Sequence, residues 1–280
     1  MLRQRILTAI VLLLIVTGAV TAPTPWPMLA LLGLMAGCAL WEWLRLVVKG
    51  AAVPWVGALL FIIVLIPLSM QLADGQAILD TVFGRFLLPL AVLFWLTAAP
   101  AFVVRAHVPE GCRPGILALA GVLTLAAAWY ALAWVFLRFG AAALISLWAL
   151  IWVADIAAYF AGRSLGRRKL APRVSPGKTL EGAAGGILVA TAWLVATALW
   201  WPDSFGSLLR VHLGWPGLIL AGLVLAAWSI VGDLFESLLK RRAGVKDSSQ
   251  LLPGHGGVYD RIDAVLPVAP AAVLLLLAGL

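Results

Sequence analysis

The 280-residue sequence is 64% hydrophobic and only 11% charged, with a formal net charge of +8 and a mean hydropathy of +1.07. Soluble domains carry about 25% charged residues, so a soluble globular protein is excluded. The basic excess reads as lysine and arginine held at an anionic membrane face, with no nucleic-acid partner expected. The apolar runs are continuous rather than alternating, which excludes a membrane β-barrel and leaves an all-α, polytopic membrane helical bundle.

About nine transmembrane helices are predicted, at 5–22, 27–48, 54–73, 85–105, 115–137, 141–162, 182–201, 217–239 and 264–280. Each is near the ~20 residues needed to cross ~30 Å of hydrocarbon. The first has the basic start and apolar run of a signal peptide, but its cleavage pattern is weak and further spans follow, so it is expected to stay as a helix. With the N-terminus in the cytoplasm, all but Arg85, Arg138 and Arg210 of the 20 basic residues fall on that side. That asymmetry predicts an N-in, C-out topology. Residues 1–137 read as a scaffold of transmembrane helices and a place for a dimer contact. Residues 138–280 read as the half that carries a cytoplasm-facing site. Cys38 lies in an apolar run and Cys112 in a charged loop, so neither a disulfide nor thiol chemistry is expected. Small residues at 182–186 and 221–227 predict close helix packing.

Two long polar loops are expected on the cytoplasmic side, Arg163 to Glu181 and Lys240 to Asp263, and acids lie in the helices that feed them. Asp155 is inside the sixth span; Asp233 and Glu236 are inside the eighth. A charge at the centre of a bilayer costs about 2.5–3.5 kcal/mol on insertion scales, so such acids face a wet cavity or a partner. Asp233, Ser237 and Lys240 share one helix face, and Asp155, Tyr159 and Arg163 form a similar stripe. At 1.5 Å per residue, Asp233 lies about 10 Å below the level of Lys240. The competing reading is plain ion pairing, Asp155 with Arg163 and Asp233 with Lys240.

In the first loop, SPGKTLEG (175–182) tempts toward a P-loop, but Pro172 stands where the motif needs glycine and no strand precedes it. Instead, Ser175 is expected to cap a helix with Pro176 in its first turn. Lys178 would then lie near a positive helix end suited to phosphate. In the second loop, LLPGHGGVYDRID (251–263) combines Gly254, Gly256 and Gly257 with Asp260 and Asp263. Glycines permit sharp turns and close approach of amides to an anion. Hard carboxylate oxygens suit Mg2+, which keeps sites for phosphate and water. Lys240, Arg241, Arg242, Lys246 and Arg261 crowd the same segment, so the loop reads as a metal–polyphosphate site. His255 is either a turn histidine or a participant in the chemistry.

The run SLLKRRAGVKDSSQLLPGHGGVYDRID, Ser237 to Asp263, resembles the signature of the phosphatidate cytidylyltransferases, or CDP-diacylglycerol synthases. That signature has a serine, Lys-Arg, Lys-Asp after four residues, a Pro-x-His-Gly-Gly turn and Asp-Arg-x-Asp, and every element is present. VADIAAYFAGRSLGRRKLAPRVSPGKTLEG and VGDLFES are also similar, so the resemblance covers about residues 140–270. It implies conversion of CTP and phosphatidic acid to CDP-diacylglycerol and pyrophosphate. It also implies Mg2+, with K+ as the candidate second cation, a membrane-embedded homodimer, and the bacterial inner membrane with the site facing the cytoplasm. Carried over, the metal-binding residues are Asp233 and Asp260, with Asp263 as an additional ligand. Lys178, Lys240, Arg241, Lys246 and Arg261 would neutralise phosphates, and Gly256 and Gly257 would bring amides near them. Ser237, Asp155, Glu181 and Asp247 complete the expected substrate contacts. The rivals are a CTP-using polyprenol kinase, which would release CDP, and a transporter, whose charges sit near the midplane of two related halves.

Overall fold

The computed structural model describes residues 2–108 and 113–278, so Cys112 lies outside the described residues. The chain runs α1 (Leu2–Thr21), α2 (Trp26–Val47), α3 (Ala52–Ala73), α4 (Ala77–Val82), a π-helical turn (Phe83–Leu87), α5 (Leu88–Leu96) and α6 (Ala98–Arg105). There follow α7 (Pro114–Leu165), β1 (Lys169–Ala171), β2 (Ser175–Thr179), α8 (Leu180–Trp200), α9 (Phe205–Arg242), α10 (Tyr259–Ile262) and α11 (Val265–Leu277). Among the described residues, seven helical segments are long and apolar enough to cross a membrane. This is a multi-pass helical membrane protein.

The spans differ from the sequence expectation in instructive ways. The fourth begins earlier, at Ile78, because Asp80 does not need to leave the bundle: it accepts from Tyr130 Oη at 2.9 Å and pairs with Arg138 at 2.7 Å. The fifth and sixth predicted spans form the 52-residue α7, interrupted at Gly140, whose φ of 79° only glycine adopts at low cost. An unbroken helix of 52 residues would measure about 78 Å at 1.5 Å per residue. Contacts show that the chain doubles back instead. Near one end, the Leu117 carbonyl accepts from Trp43, which packs on Tyr259. Near the other, Gly162 lies against Thr179 and Gly182. Both ends therefore meet the polar loops, while Arg138, beside the break, meets Asp80. The final helix has only 13 helical residues, fewer than the expected ninth span.

The first polar loop adds one short hairpin to the otherwise all-helical bundle. Lys169–Ala171 pairs antiparallel with Ser175–Thr179, with Lys169 opposite Thr179 and Ala171 opposite Ser175. Ser175 is thus a strand residue, not a helix cap, and Pro176 is not in a first turn. Proline biases the residue before it toward extended backbone, and this hairpin contains two such residues, Ala171 and Ser175. The cap is Thr179, whose Oγ1 accepts from the Gly182 amide at 3.1 Å.

Small residues set the packing behind the hairpin. A Cβ on Gly182 would fall 2.8 Å from the Ala158 carbonyl oxygen, and one on Gly186 would fall 2.7 Å from that of Ala154. These glycines let α8 lie against the second half of α7, as the sequence predicts. A second contact layer is aromatic. The Phe235 ring lies 5.6 Å from Trp43 and 5.5 Å from both Phe94 and Trp95, and Trp43 lies 5.3 Å from Tyr259. Trp43, Trp95, Phe235 and Tyr259 are fully buried. They lock α2, α5, α9 and α10 together directly beneath the polar residues. By contrast α1 and α3 present Leu7, Leu13, Leu14, Leu59, Leu60 and Ile66 outward, as lipid-facing helices do.

Candidate active site

Three elements deliver the charged residues. From α9 come Asp233, Glu236 and Lys240, one turn apart along one face. From β2 comes Lys178, and from α10 and its flank come Asp260, Arg261 and Asp263. Gly232 permits the meeting of α9 with this last segment. A Cβ there would fall 2.4 Å from the Asp263 carbonyl oxygen, so only glycine brings Asp233 beside Asp263.

Three ion pairs result. Lys178 pairs with Asp233. Lys240 bridges Glu236 at 2.8 Å and Asp260 at 2.7 Å. The competing pairing of Asp233 with Lys240 is therefore not formed, and Arg163 donates to Tyr159 Oη at 3.3 Å rather than pairing with Asp155. Asp155 lies within electrostatic reach of Asp233, Lys178 and Arg261, which joins the α7 stripe to the same site.

Asp260 is the most heavily bonded acid. Its Oδ2 accepts from the Gly257 amide at 2.7 Å, the Ser248 hydroxyl at 2.9 Å and the Ser248 amide at 3.0 Å. Burial favours its neutral form, but hydrogen bonds involving Glu236, Lys240 and the Gly257 amide outweigh that and hold the carboxyl well below the usual range. Asp263 goes the other way. Burial and the neighbouring Asp233 carboxylate push it up to about 8, against the Ala264 amide and the lysines Lys178 and Lys240. Two acids three residues apart are thus tuned in opposite directions.

The glycine turn is built as its sequence requires. Gly254 and Gly256 have φ of 77° and 82°. The Leu252 amide donates to the Gly256 carbonyl at 2.8 Å. The Gly257 amide, expected to face a phosphate, is bonded to Asp260. The Gly256 Cα leaves room for Asp260, since a Cβ would lie 2.7 Å from its Oδ2. Arg261 donates through Nε to the His255 carbonyl at 3.0 Å, while His255 Nδ1 is buried and has no hydrogen-bond partner among the described residues.

Other expected residues are placed less centrally. Glu181 accepts from the Arg167 and Arg168 amides at 3.0 and 3.1 Å and from Arg168 Nε at 3.2 Å, so it ties the hairpin to α8. Arg241 donates to the Val174 carbonyl at 3.4 Å, joining the two polar loops. Lys246 and Asp247 are exposed, and Ser237 is half-buried on α9.

One residue was missed by the sequence reading. Glu42 of α2 is 0% exposed. It accepts from Ser249 Oγ at 2.5 Å, the Tyr259 amide at 2.6 Å, and the Val258 amide and Ser248 Oγ at 3.0 Å. The signal was available: an acid between Trp41 and Trp43 inside an apolar span is as costly as Asp233 and needs the same explanation.

Among the described residues, no three His, Cys, Asp or Glu side chains form a ready metal cluster. What converges is an alternation of lysine and carboxylate, accompanied by arginine, suited to holding and neutralising phosphates.

The sequence profile of the cytidylyltransferase family matches residues 3–278. A phosphatidate cytidylyltransferase of Pseudomonas aeruginosa is 39% identical over 290 aligned positions, covering 100% of this chain and 98% of that one. The Haemophilus influenzae protein of the same name is 35% identical, covering 96% of each chain. That of Bacillus subtilis is 32% identical, covering 98% of this chain and 97% of its own. Full-length similarity of this kind, on a helical membrane fold that gathers lysines and acids in one cluster, makes the chain a nucleotidyl-transferring enzyme and a member of the cytidylyltransferase family.

Proposed function

We propose that the protein is a phosphatidate cytidylyltransferase, converting CTP and phosphatidic acid to CDP-diacylglycerol and pyrophosphate at the cytoplasmic face of a bacterial inner membrane. The single observation that carries this reading is the pair of opposed lysine–carboxylate contacts, Lys178 with Asp233 and Lys240 with Asp260. They lie where the helices α8, α9 and α10 converge. The name borne by the full-length relatives supplies the substrates. The basic asymmetry supports an N-in topology with nine crossings, counting the two arms of α7 separately and α11 as the last.

The nucleophile in this reaction is the phosphate of phosphatidate, which attacks the α-phosphorus of CTP. The bond from that phosphorus to the bridging oxygen breaks, and pyrophosphate leaves with its electron pair. A phosphate monoester is already anionic near neutral pH, so the obstacle is repulsion between two anions. Lys178 and Lys240, partly released from Asp233 and Asp260, neutralise the approaching phosphates. Arg261 and Arg241 add positive charge at the rim. Lys246 and Asp247, being exposed, meet the nucleotide before it reaches the lysines.

Mg2+ is proposed as the resident cation. Asp233 and Asp263 fit it: they are hard oxygen donors side by side, and a divalent ion relieves their mutual repulsion. Asp260 fits through exchange, since Lys240, Ser248 and Gly257 occupy its oxygens. When bound, the ion supplies charge neutralisation and orientation of phosphate oxygens. K+ as a second cation and a homodimer through the 1–137 half complete the proposal. The outward apolar faces of α1 and α3 suit lipid or a second copy.

The test is purified protein with labelled CTP and phosphatidate. Label extracted into lipid, with pyrophosphate released and both lost on chelation of Mg2+, is the expected result. Release of CDP instead would indicate a lipid kinase, and no turnover of either substrate would favour transport.

A further inference from the structure

Glu42 belongs to the half of the chain remote in sequence from the signature, yet among the described residues all four of its hydrogen bonds go to residues 248–259. The donors are two hydroxyls and two backbone amides, so a fully buried carboxylate is held without a cation. A leucine at that depth would avoid the cost of desolvating a charge but would strand those four donors. We infer that Glu42 is a positioning residue, acting through Ser248 and the Val258 and Tyr259 amides to fix Asp260 and, through it, Lys240.

Proton counting shows how the action is transmitted. The Ser248 hydroxyl has one hydrogen. It stands 3.0 Å from Glu42 Oε2 and 2.9 Å from Asp260 Oδ2. Two carboxylates therefore share a single hydroxyl proton, and displacement of either is felt by the other. Gly257 makes the meeting possible. A Cβ there would fall 2.1 Å from Ser248 Oγ and 2.5 Å from both Glu42 oxygens. The Val258 and Tyr259 amides, tied to Glu42 at 3.0 and 2.6 Å, fix the backbone immediately before Asp260. Substituting the amide group of Gln for the carboxylate keeps the volume but turns one acceptor into a donor facing either the Tyr259 or the Val258 amide.

The catalytic part of this inference rests on the proposed cytidylyl transfer; the structural part does not. Glu42→Gln, Ser248→Ala and the double variant are purified as full chains in lipid nanodiscs. Pyrophosphate release and amide hydrogen exchange at 258–259 are then measured. In Glu42→Gln, exchange is expected to rise at least tenfold. The value of kcat is expected to fall about 10- to 100-fold, the size of one or two charge-assisted hydrogen bonds, with KM for phosphatidate within about twofold. In the Ser248→Ala background, Glu42→Gln is expected to cost less than it does alone, because the hydroxyl route is already cut and only the Val258 and Tyr259 amides remain. Unchanged exchange overturns the role of Glu42 whichever reaction the site performs. Faster exchange with unaltered kcat, or losses that multiply in the double variant, also overturns it. A parent protein that releases no pyrophosphate would instead overturn the functional reading, and the exchange measurement would still decide for or against Glu42.

Discussion

The two polar loops serve one site but are held in different ways. The hairpin at Lys169–Thr179 is ordered by its own backbone pairing, and Glu181 and the Val174 carbonyl only tether it. The segment from Val245 to Tyr259 has almost no regular pairing beyond one isolated bridge, Leu252 with Gly256. Buried carboxylates from elsewhere, Glu42 and Asp260, organise it instead. A loop held by its backbone tolerates loss of side chains. A loop held by acids does not, and here one of those acids, Asp260, also holds Lys240.

Substitutions can break or sharpen that contrast. The largest effect is expected for Asp260→Asn, which removes the charge that orients Lys240. Turnover should fall at least about a thousandfold, as for groups acting in phosphoryl transfer, while size-exclusion profiles stay those of the parent. Next is Lys240→Met, which leaves Glu236 and Asp260 facing each other unpaired. Breaking a buried pair on one side costs about 3–5 kcal/mol, so the melting temperature in detergent should drop and activity should be lost with it. Lys178→Gln should act on function alone. Its pair with Asp233 is partly open to solvent, with side-chain exposures of 27% and 29%, so stability should change by less than about 1 kcal/mol, and KM for CTP should rise about tenfold. The smallest effect belongs to the hairpin tether. Arg168, with 76% of its side chain exposed, should be replaceable by Ala with activity within about twofold. A large loss in Arg168→Ala would show that the hairpin also depends on its side chains.

Much of this was legible in the sequence because a bilayer penalises charge. The apolar runs located α1, α2, α3 and α8 within a few residues, and Asp233 and Asp260 were singled out as anomalies. The hairpin was not legible. Three- to five-residue strands carry no periodicity, and Ser-Pro-Gly reads equally as a helix start. The pairing partners were also hidden. Lys178, just before α8, meets Asp233 on α9, and these two helices approach closely at Gly222, where a Cβ would fall 3.0 Å from Thr191 Cγ2, a contact no spacing rule states. Glu42 was overlooked because its donors lie more than 200 positions away in the chain.

The stacked rings of Trp43, Phe235, Trp95 and Tyr259 have a mechanical consequence. A floor of four interlocked aromatics cannot yield without opening the membrane core, so accommodation of substrates must come from above it. Under the proposed reaction, motions that admit nucleotide or release product would fall to the glycine turn and the hairpin tip, and the base beneath would serve as an anvil against which two anions are pressed together.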